Sequence, residues 1–332
     1  MASRETKRVL VTGAVGQIGS ELTVELRRRL GVENVVATGH RSKPGPLLCE
    51  GPFEFIDVSR RETVLAVVEK YQIDTIYHMA AILSAVGEKN PSLAWDVNIN
   101  GLYNVLEVAR ERNLVRVFCP SSIAAFGPNT PRDNTPQETV LRPTTMYGVT
   151  KVAGELLCDY YVRRFGVDVR GVRYPGIISA ETLPGGGTTD YAVAIYYEAV
   201  AKGRYTCFVR EDTVLPMMYM PDCIKGTLDL MEADFSRLEH HADFNLAAMS
   251  FSAGELEGAI RRHVPGFACS YEPDFRQAIA DSWPRSIDDS AARSEWGWQP
   301  AYDLEAMTVD MLERLCKRHA EGRLYPGDEA CS

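Results

Sequence analysis

The sequence predicts an α/β protein built on a doubly wound parallel sheet, with a smaller C-terminal lobe. Three observations predict it. Apolar runs of strand length alternate with amphipathic runs of helix length through the first half of the chain. The first strand passes straight into a glycine-spaced turn and a helix, K-R-V-L-V-T-G-A-V-G-Q-I-G from Lys7 to Gly19. Past about residue 175 the alternation breaks into a Gly/Pro-rich loop, shorter helices and short strands. Residues 1–175 are therefore assigned to a dinucleotide-binding domain, and 176–332 mainly to a substrate-binding lobe with segments returning to the first domain.

In chain order, strands are expected over Val9 to Thr12, Asn34 to Thr38, Phe53 to Asp57, Thr75 to His78, Val115 to Cys119 and Val167 to Tyr174. Helices are expected near Gln17 to Leu30, Arg61 to Tyr71, Ser92 to Arg112, Tyr147 to Phe165 and Tyr191 to Lys202. In parallel sheets of this kind ligands lie beyond the carboxyl ends of the strands, so the residues just after each apolar run are the candidates for a site.

Composition narrows the function. The chain has 332 residues, 45% hydrophobic and 24% charged, enough for one large or two smaller cores. A net charge of -9 without a basic stripe argues against a nucleic-acid partner. No apolar run approaches the ~20 residues of a membrane span. Eight scattered cysteines without a C-x-x-C pair fit a reducing compartment, and six histidines without a His/Cys cluster give no reason to expect a metal. The first strand starts at Val9, which leaves no room for a targeting peptide of usual length.

Gly13, Gly16 and Gly19 are three apart, as they would be if the first turned the chain, the second let backbone approach a pyrophosphate and the third let the helix pack on the sheet. The helix beginning at Gln17 and Ile18 then aims its N-terminal amides at the phosphates. The second strand ends at Gly39, where an acid normally grips the adenosine ribose. His40 and Arg41 follow, Arg41 being able to accept a 2'-phosphate. Asp57, before Val58, either accepts from the adenine amino group or caps the next helix. His78 reads as a strand-end packing residue, and the small residues of Met79-Ala80-Ala81 let backbone lie against the cofactor.

Tyr147 and Lys151 are four apart and so project from one helical face. An ammonium beside a phenol favours the phenolate, which a general base working near neutrality requires. Ser121 and Ser122 follow the fifth strand, where a hydroxyl can bond the reacting oxygen. Gly187, Thr188 and Thr189 open the helix at Tyr191 with a donor-rich loop suited to a carboxylate; the simpler reading is a cap by Thr189 or Asp190. Trp283 either covers the site or anchors the core.

On T-G-A-x-G-x-I-G (Thr12 to Gly19), Asp57-Val58, His78-Met79-Ala80-Ala81, Asn98 in V-N-I-N-G-L-Y-N, Ser122 and Tyr147-x-x-x-Lys151, the chain resembles the extended branch of the short-chain dehydrogenase/reductase superfamily over roughly residues 7 to 320. Leu183 to Tyr191, Ile279 to Pro284 and Ser286 to Asp289 resemble the short-chain type of L-threonine 3-dehydrogenase within it. The resemblance implies a Rossmann-type fold and oxidation of L-threonine at its 3-hydroxyl to 2-amino-3-oxobutyrate, with NAD as cofactor. It implies catalytic roles for Tyr147, Lys151 and Ser122, with Asn98 steadying a water near the lysine. As a helix-interior residue, Asn98 could equally face solvent. It also implies a substrate contact from Ser84, and Tyr174-Pro175-Gly176-Ile177 offers backbone to the carboxamide. Gly39 departs from the pattern and leaves NADP open.

The alternatives are a nucleotide-sugar epimerase or dehydratase of the same superfamily and a non-catalytic dinucleotide sensor. The helices over 92–112 and 147–165 carry more apolar residues than one sheet face covers, so a homodimer through a four-helix bundle is expected. By family resemblance the compartment is the mitochondrial matrix if the source is eukaryotic and the cytoplasm if it is bacterial.

Overall fold

The computed structural model describes residues 5–183 and 185–325; Pro184 of the expected substrate loop and Cys331 lie outside them. β1 (Val9–Thr12) pairs in parallel with β2 (Val35–Gly39) on one side. Beyond β2 lies β3 (Phe53–Phe55), and β4 (Thr75–His78) is on the other side of β1. β5 (Arg116–Phe118) continues the sheet past β4. β6 (Ser121–Ser122) starts a second strip, and β7 (Val169–Arg170) closes the first at β5. The order β3-β2-β1-β4-β5-β7 reverses direction between β1 and β4, which opens a crevice at their carboxyl ends.

Covering helices explain why β1 has no polar face. Along the first half run α1 (Gln17–Leu30), α2 (Arg61–Tyr71), α3 (Ser84–Lys89), α4 (Pro91–Trp95), α5 (Gly101–Arg112) and α6 (Met146–Phe165). Val9 and Val11 pack on α1, whereas Leu10 packs in the core of α2, α5 and α6. The same alternation continues in β2, with Val35 and Ala37 on one side and Val36 on the other.

The expected strand Val167 to Tyr174 is broken at Gly171 into β7 and β8 (Val172–Tyr174). A Cβ at Gly171 would lie 2.0 Å from the Cys119 carbonyl oxygen, so the backbones cross too closely there for a continuous ladder. The expected helix Ser92 to Arg112 is α4, a π-helical turn over Asp96–Asn100 and α5. The widened turn carries Asn98.

β9 (Gly176–Ile178) leads into the second lobe, where α7 (Tyr191–Lys202), β10 (Arg204–Cys207) and β11 (Val214–Tyr219) follow. α8 (Met220–Glu232) and β12 (Phe244–Asn245) return to the first sheet, with β12 beside β8 and α8 in the core shared by α1. The chain then passes through β13 (Met249–Ser252), α9 (Ala253–His263) and β14 (Ala268–Tyr271). It ends in α10 (Arg276–Asp281), α11 (Ser290–Trp296) and α12 (Leu304–Ala320). Tyr191, Tyr196, Leu256, Trp283, Met307 and Met311 build the second core.

A buried charged junction joins the parts. Arg173 in β8 donates to both Glu155 oxygens of α6, at 2.9 and 2.8 Å, and to Asn245 of β12 and the Gln137 carbonyl at 3.1 Å. Burial pushes the Glu155 carboxyl up, against the pull of this guanidinium. Removing one partner leaves the other buried and unmatched, which costs about 3–5 kcal/mol. Arg173→Met is accordingly expected to lower the urea midpoint sharply, while Arg28→Ala, at an exposed pair with Glu25, leaves it unchanged.

Candidate active site

The glycine turn is fixed by close approach. Gly13 has φ 63°, and a Cβ on it would lie 2.7 Å from the backbone of Ala80 just beyond β4. A Cβ on Gly19 would come within 2.4 Å of the Gly13 carbonyl oxygen. Thr12 ties the same two strand ends together, accepting from Ala80 N at 3.2 Å and meeting His78 Nδ1 at 2.9 Å. His78 is buried, and loss of solvent lowers its pKa to about 3, so it packs as a neutral ring. The N-terminus of α1 has Gly16 as its cap, no side-chain cap and no acid in its first turn. Gln17 Nε2 is buried there without a partner. Free amides, an orphaned donor and glycine-thin walls fit a pyrophosphate.

The adenosine end explains the missing acid. A Cβ at Gly39 would stand 2.8 Å from the Ser42 carbonyl oxygen and 3.1 Å from the Phe53 ring, so no side chain fits at that position. His40 Nε2 instead lies 4.0 Å from Asp57 Oδ2, and Arg41 is exposed. The expectation that Asp57 caps the next helix is corrected: α2 is capped at Arg60 without a side chain, and Asp57 Oδ1 accepts from Ser59 N and Oγ at 3.1 and 2.7 Å. Burial alone would raise its pKa, but the Ser59 bonds and the His40 charge hold it below the usual carboxylate range. Val58 is buried against Gly101, and its carbonyl accepts from Asn104 at 2.9 Å.

From the glycine turn a cleft of about 230 Å³ runs to the loop before α7, lined by residues from both lobes. Gly13, Gly16, Gln17, Ile18 and Gly19 form one end. Met79, Ala81, Ser122, Tyr147, Lys151, Gly176 and Ile177 line its middle. Thr145 caps α6 by accepting from Gly148 N at 3.1 Å, which sets Tyr147 in the first turn and Lys151 one turn later. Lys151 Nζ donates to the Pro120 carbonyl at 2.7 Å and stands 5.3 Å from the Tyr147 ring centre. Ser122 Oγ accepts from Ala124 N at 3.2 Å, so its O–H remains able to donate. Tyr174 serves as a wall: its ring packs near Phe118 and its hydroxyl meets Thr227.

Three expectations change. The Ser121 hydroxyl donates to Glu155, so it braces the site from behind and is not free for substrate. Asn98 does not face solvent: it bonds Ile82 N at 2.8 Å, the Ile82 carbonyl at 3.1 Å and the Thr150 hydroxyl at 3.1 Å. It also lines a small cavity with Lys151. In the loop before α7, the N–H groups of Gly186 and Gly187 are already taken by Asp190 Oδ2, at 2.8 and 2.7 Å, and neither Thr189 nor Asp190 caps the helix by its side chain. Ser84 and Thr188 are both buried and share a 3.2 Å hydrogen bond. Thr189 and Trp283 line the cleft, and Trp283 is also a core residue, so both of its readings hold. Sequence reasoning missed Leu83, Pro120 and Ile123, apolar lining without a chemical signature.

Fold and cleft together define the class, a dinucleotide-dependent oxidoreductase of the short-chain kind. The chain belongs to the NAD dependent epimerase/dehydratase family, whose sequence pattern matches residues 9–247. It is 54% identical over 311 residues to an uncharacterized epimerase/dehydratase of Staphylococcus haemolyticus, covering 93% of this chain and 98% of the relative. Among solved structures it is similar to the L-threonine dehydrogenase of Clostridium difficile, with TM-score 0.92, 53% identity, and 95% and 99% of the two chains covered. A monomeric L-threonine 3-dehydrogenase of metagenomic origin is similar at TM-score 0.90 and 50% identity, over 93% of this chain and 99% of that one.

Behind the turn, Glu21 of α1 accepts from Ser179, just past β9, and burial pushes its pKa up to about 7. Glu181 adds to the rise, while Ser179, Arg314 and Arg318 oppose it. The folded protein thus keeps a proton that the unfolded chain releases near 4.5. Its stabilising share is present in acid and lost as pH rises through about 7. Thermal melts from pH 5 to 8 should show a decline in wild type that Glu21→Gln flattens.

Proposed function

We propose that the protein oxidises L-threonine at its 3-hydroxyl to 2-amino-3-oxobutyrate with NAD. The observation that carries this reading is a single cleft holding Tyr147, Lys151 and Ser122 between the dinucleotide turn and the Gly187–Thr189 loop. Similarity to L-threonine dehydrogenases along nearly the whole chain supports the substrate. When bound, NAD supplies the hydride acceptor. Tyr147, as phenolate, removes the proton from the threonine hydroxyl. Ser122 donates to that oxygen and orients it, while Lys151, held by the Pro120 carbonyl, keeps a positive charge beside the phenol ring.

A nucleotide-sugar reading is weaker on the same cleft. A sugar diphosphate requires basic side chains, and Lys151 is the one cation among the described residues that line it.

Discrimination between cofactors follows from the adenosine end. Gly39 leaves no acid to repel a 2'-phosphate, and Arg41 is a thin phosphate site with Lys43 tied to Pro44, so NAD is preferred with modest selectivity. The ratio of kcat/KM for NAD over NADP with L-threonine is expected above 1 and below about 10³. A preference for NADP overturns the assignment.

Homodimerisation through α5 and α6 is part of the same proposal. Leu102, Val105, Leu106 and Val108 are spent on the core, but Leu156, Tyr160 and Tyr103 remain 67%, 53% and 48% exposed. Staphylococcal relatives support a cytoplasmic location.

Two measurements check these statements. Tyr147→Phe keeps the ring and loses only the hydroxyl, so cofactor binding should persist while turnover falls about 10²- to 10⁴-fold. More than about a tenth of wild-type kcat remaining would sink the assignment of the base. Light scattering at micromolar concentration should give twice the chain mass; a monomer removes the helix-bundle interface.

A further inference from the structure

The mechanism leaves two sulfurs unused beside its lysine. Cys119 follows β5 and Cys158 lies on α6, two turns beyond Lys151. Both are free thiols, close enough that each shifts the other's titration. They line one cavity of about 30 Å³ with Lys151 and Glu155, about the room of a single water-sized molecule. Ala81, Pro120, Ser121 and Lys151 belong to this cavity and to the active cleft alike, so the two spaces share a wall. Next in sequence to Cys119, the Pro120 carbonyl accepts from Lys151 Nζ.

We propose that Cys119 and Cys158 form a peroxide-sensitive dithiol whose closure to a disulfide switches the enzyme off. The Cys119 thiolate attacks hydrogen peroxide: an S–O bond forms, the O–O bond breaks and hydroxide leaves to become water. Cys158 then attacks the sulfenic sulfur, an S–S bond forms and the second oxygen leaves as water. Two thiols give up two protons and two electrons, and one peroxide becomes two waters. The neighbouring Cys158, aided by the Lys151 charge, holds the Cys119 thiol below its ordinary range despite burial. The same contact, with burial, pushes Cys158 up. Cys119 is therefore the sulfur that attacks first. An S–S bond of about 2.05 Å is shorter than any non-bonded contact between two sulfurs, so closure draws Cys119 toward α6 and disturbs the adjoining Pro120 carbonyl, the acceptor that holds Lys151.

The test treats purified protein with about a tenfold excess of hydrogen peroxide, alkylates it without reductant and maps its peptides by mass spectrometry. The peptides of Cys119 and Cys158 should be joined, about 2 Da lighter than their reduced sum. Dehydrogenase activity should fall at least about fivefold in parallel and return with dithiothreitol. Prior saturation with NAD should slow the joining, because the shared wall is then covered. Cys158→Ser should abolish the joined peptide, whereas replacing the exposed Cys316 by Ser should change nothing. Unjoined peptides in inactivated wild type overturn the proposal, as do joined peptides with full activity. Mapping needs no substrate and is read on wild type, so its result is separate from the threonine assignment and from the folding of any variant.

Discussion

One carboxylate, Glu155, holds in register the three elements from which the chemistry projects. On α6 it follows Tyr147 and Lys151 at successive turns, it receives Ser121 from β6, and it pairs with Arg173 of β8. The phenol, the Ser122 hydroxyl and the strand that leads to Gly176 are thereby referred to a single buried point. Directional bonds allow one relative placement of these parts, where an apolar contact of the same area would allow several. The remaining guanidinium donor is used on Gln137 and Asn245, which carries the constraint into the returning segment at β12.

What was legible in the sequence is what depends on near neighbours along the chain. β1, α1, α2 and β4 fall where their periodicity puts them. The glycine turn is a local spacing, as is a Tyr and Lys one helical turn apart. The rest depends on partners far away in sequence. Ser121 reads as available because Glu155 lies 34 residues later, and Asn98 reads equally as a site residue or a solvent-facing one because Thr150 lies 52 residues later. Gly39 gave no hint that the chain folds back to Ser42 and Phe53, which turns a missing acid from an anomaly into a packing requirement. Likewise the break at Gly171 comes from the crossing Cys119 backbone and from no signal in the strand itself.

α6 carries two unlike surfaces on one rigid rod. One presents Tyr147, Lys151 and Glu155 to the cleft and the core, the other leaves Leu156 and Tyr160 in water beside Phe165. The Thr145 cap and the carbonyl held by Lys151 fix its first turns, so whatever covers its outer surface bears on a helix whose inner surface is already set.

Asp190 places the protein's own carboxylate on the two amides of the glycine loop. Loss of water pushes its pKa up, and the Gly187 and Gly186 amides restrain the rise. Any carboxylate arriving at those amides meets an occupant of its own chemical kind, tethered at fixed distance and never diluted. Its apparent affinity is then its intrinsic affinity scaled by the fraction of time the amides stand vacant. The loop is thus closed by an internal ligand, and its two N–H groups are open to another acceptor only when Asp190 lets go.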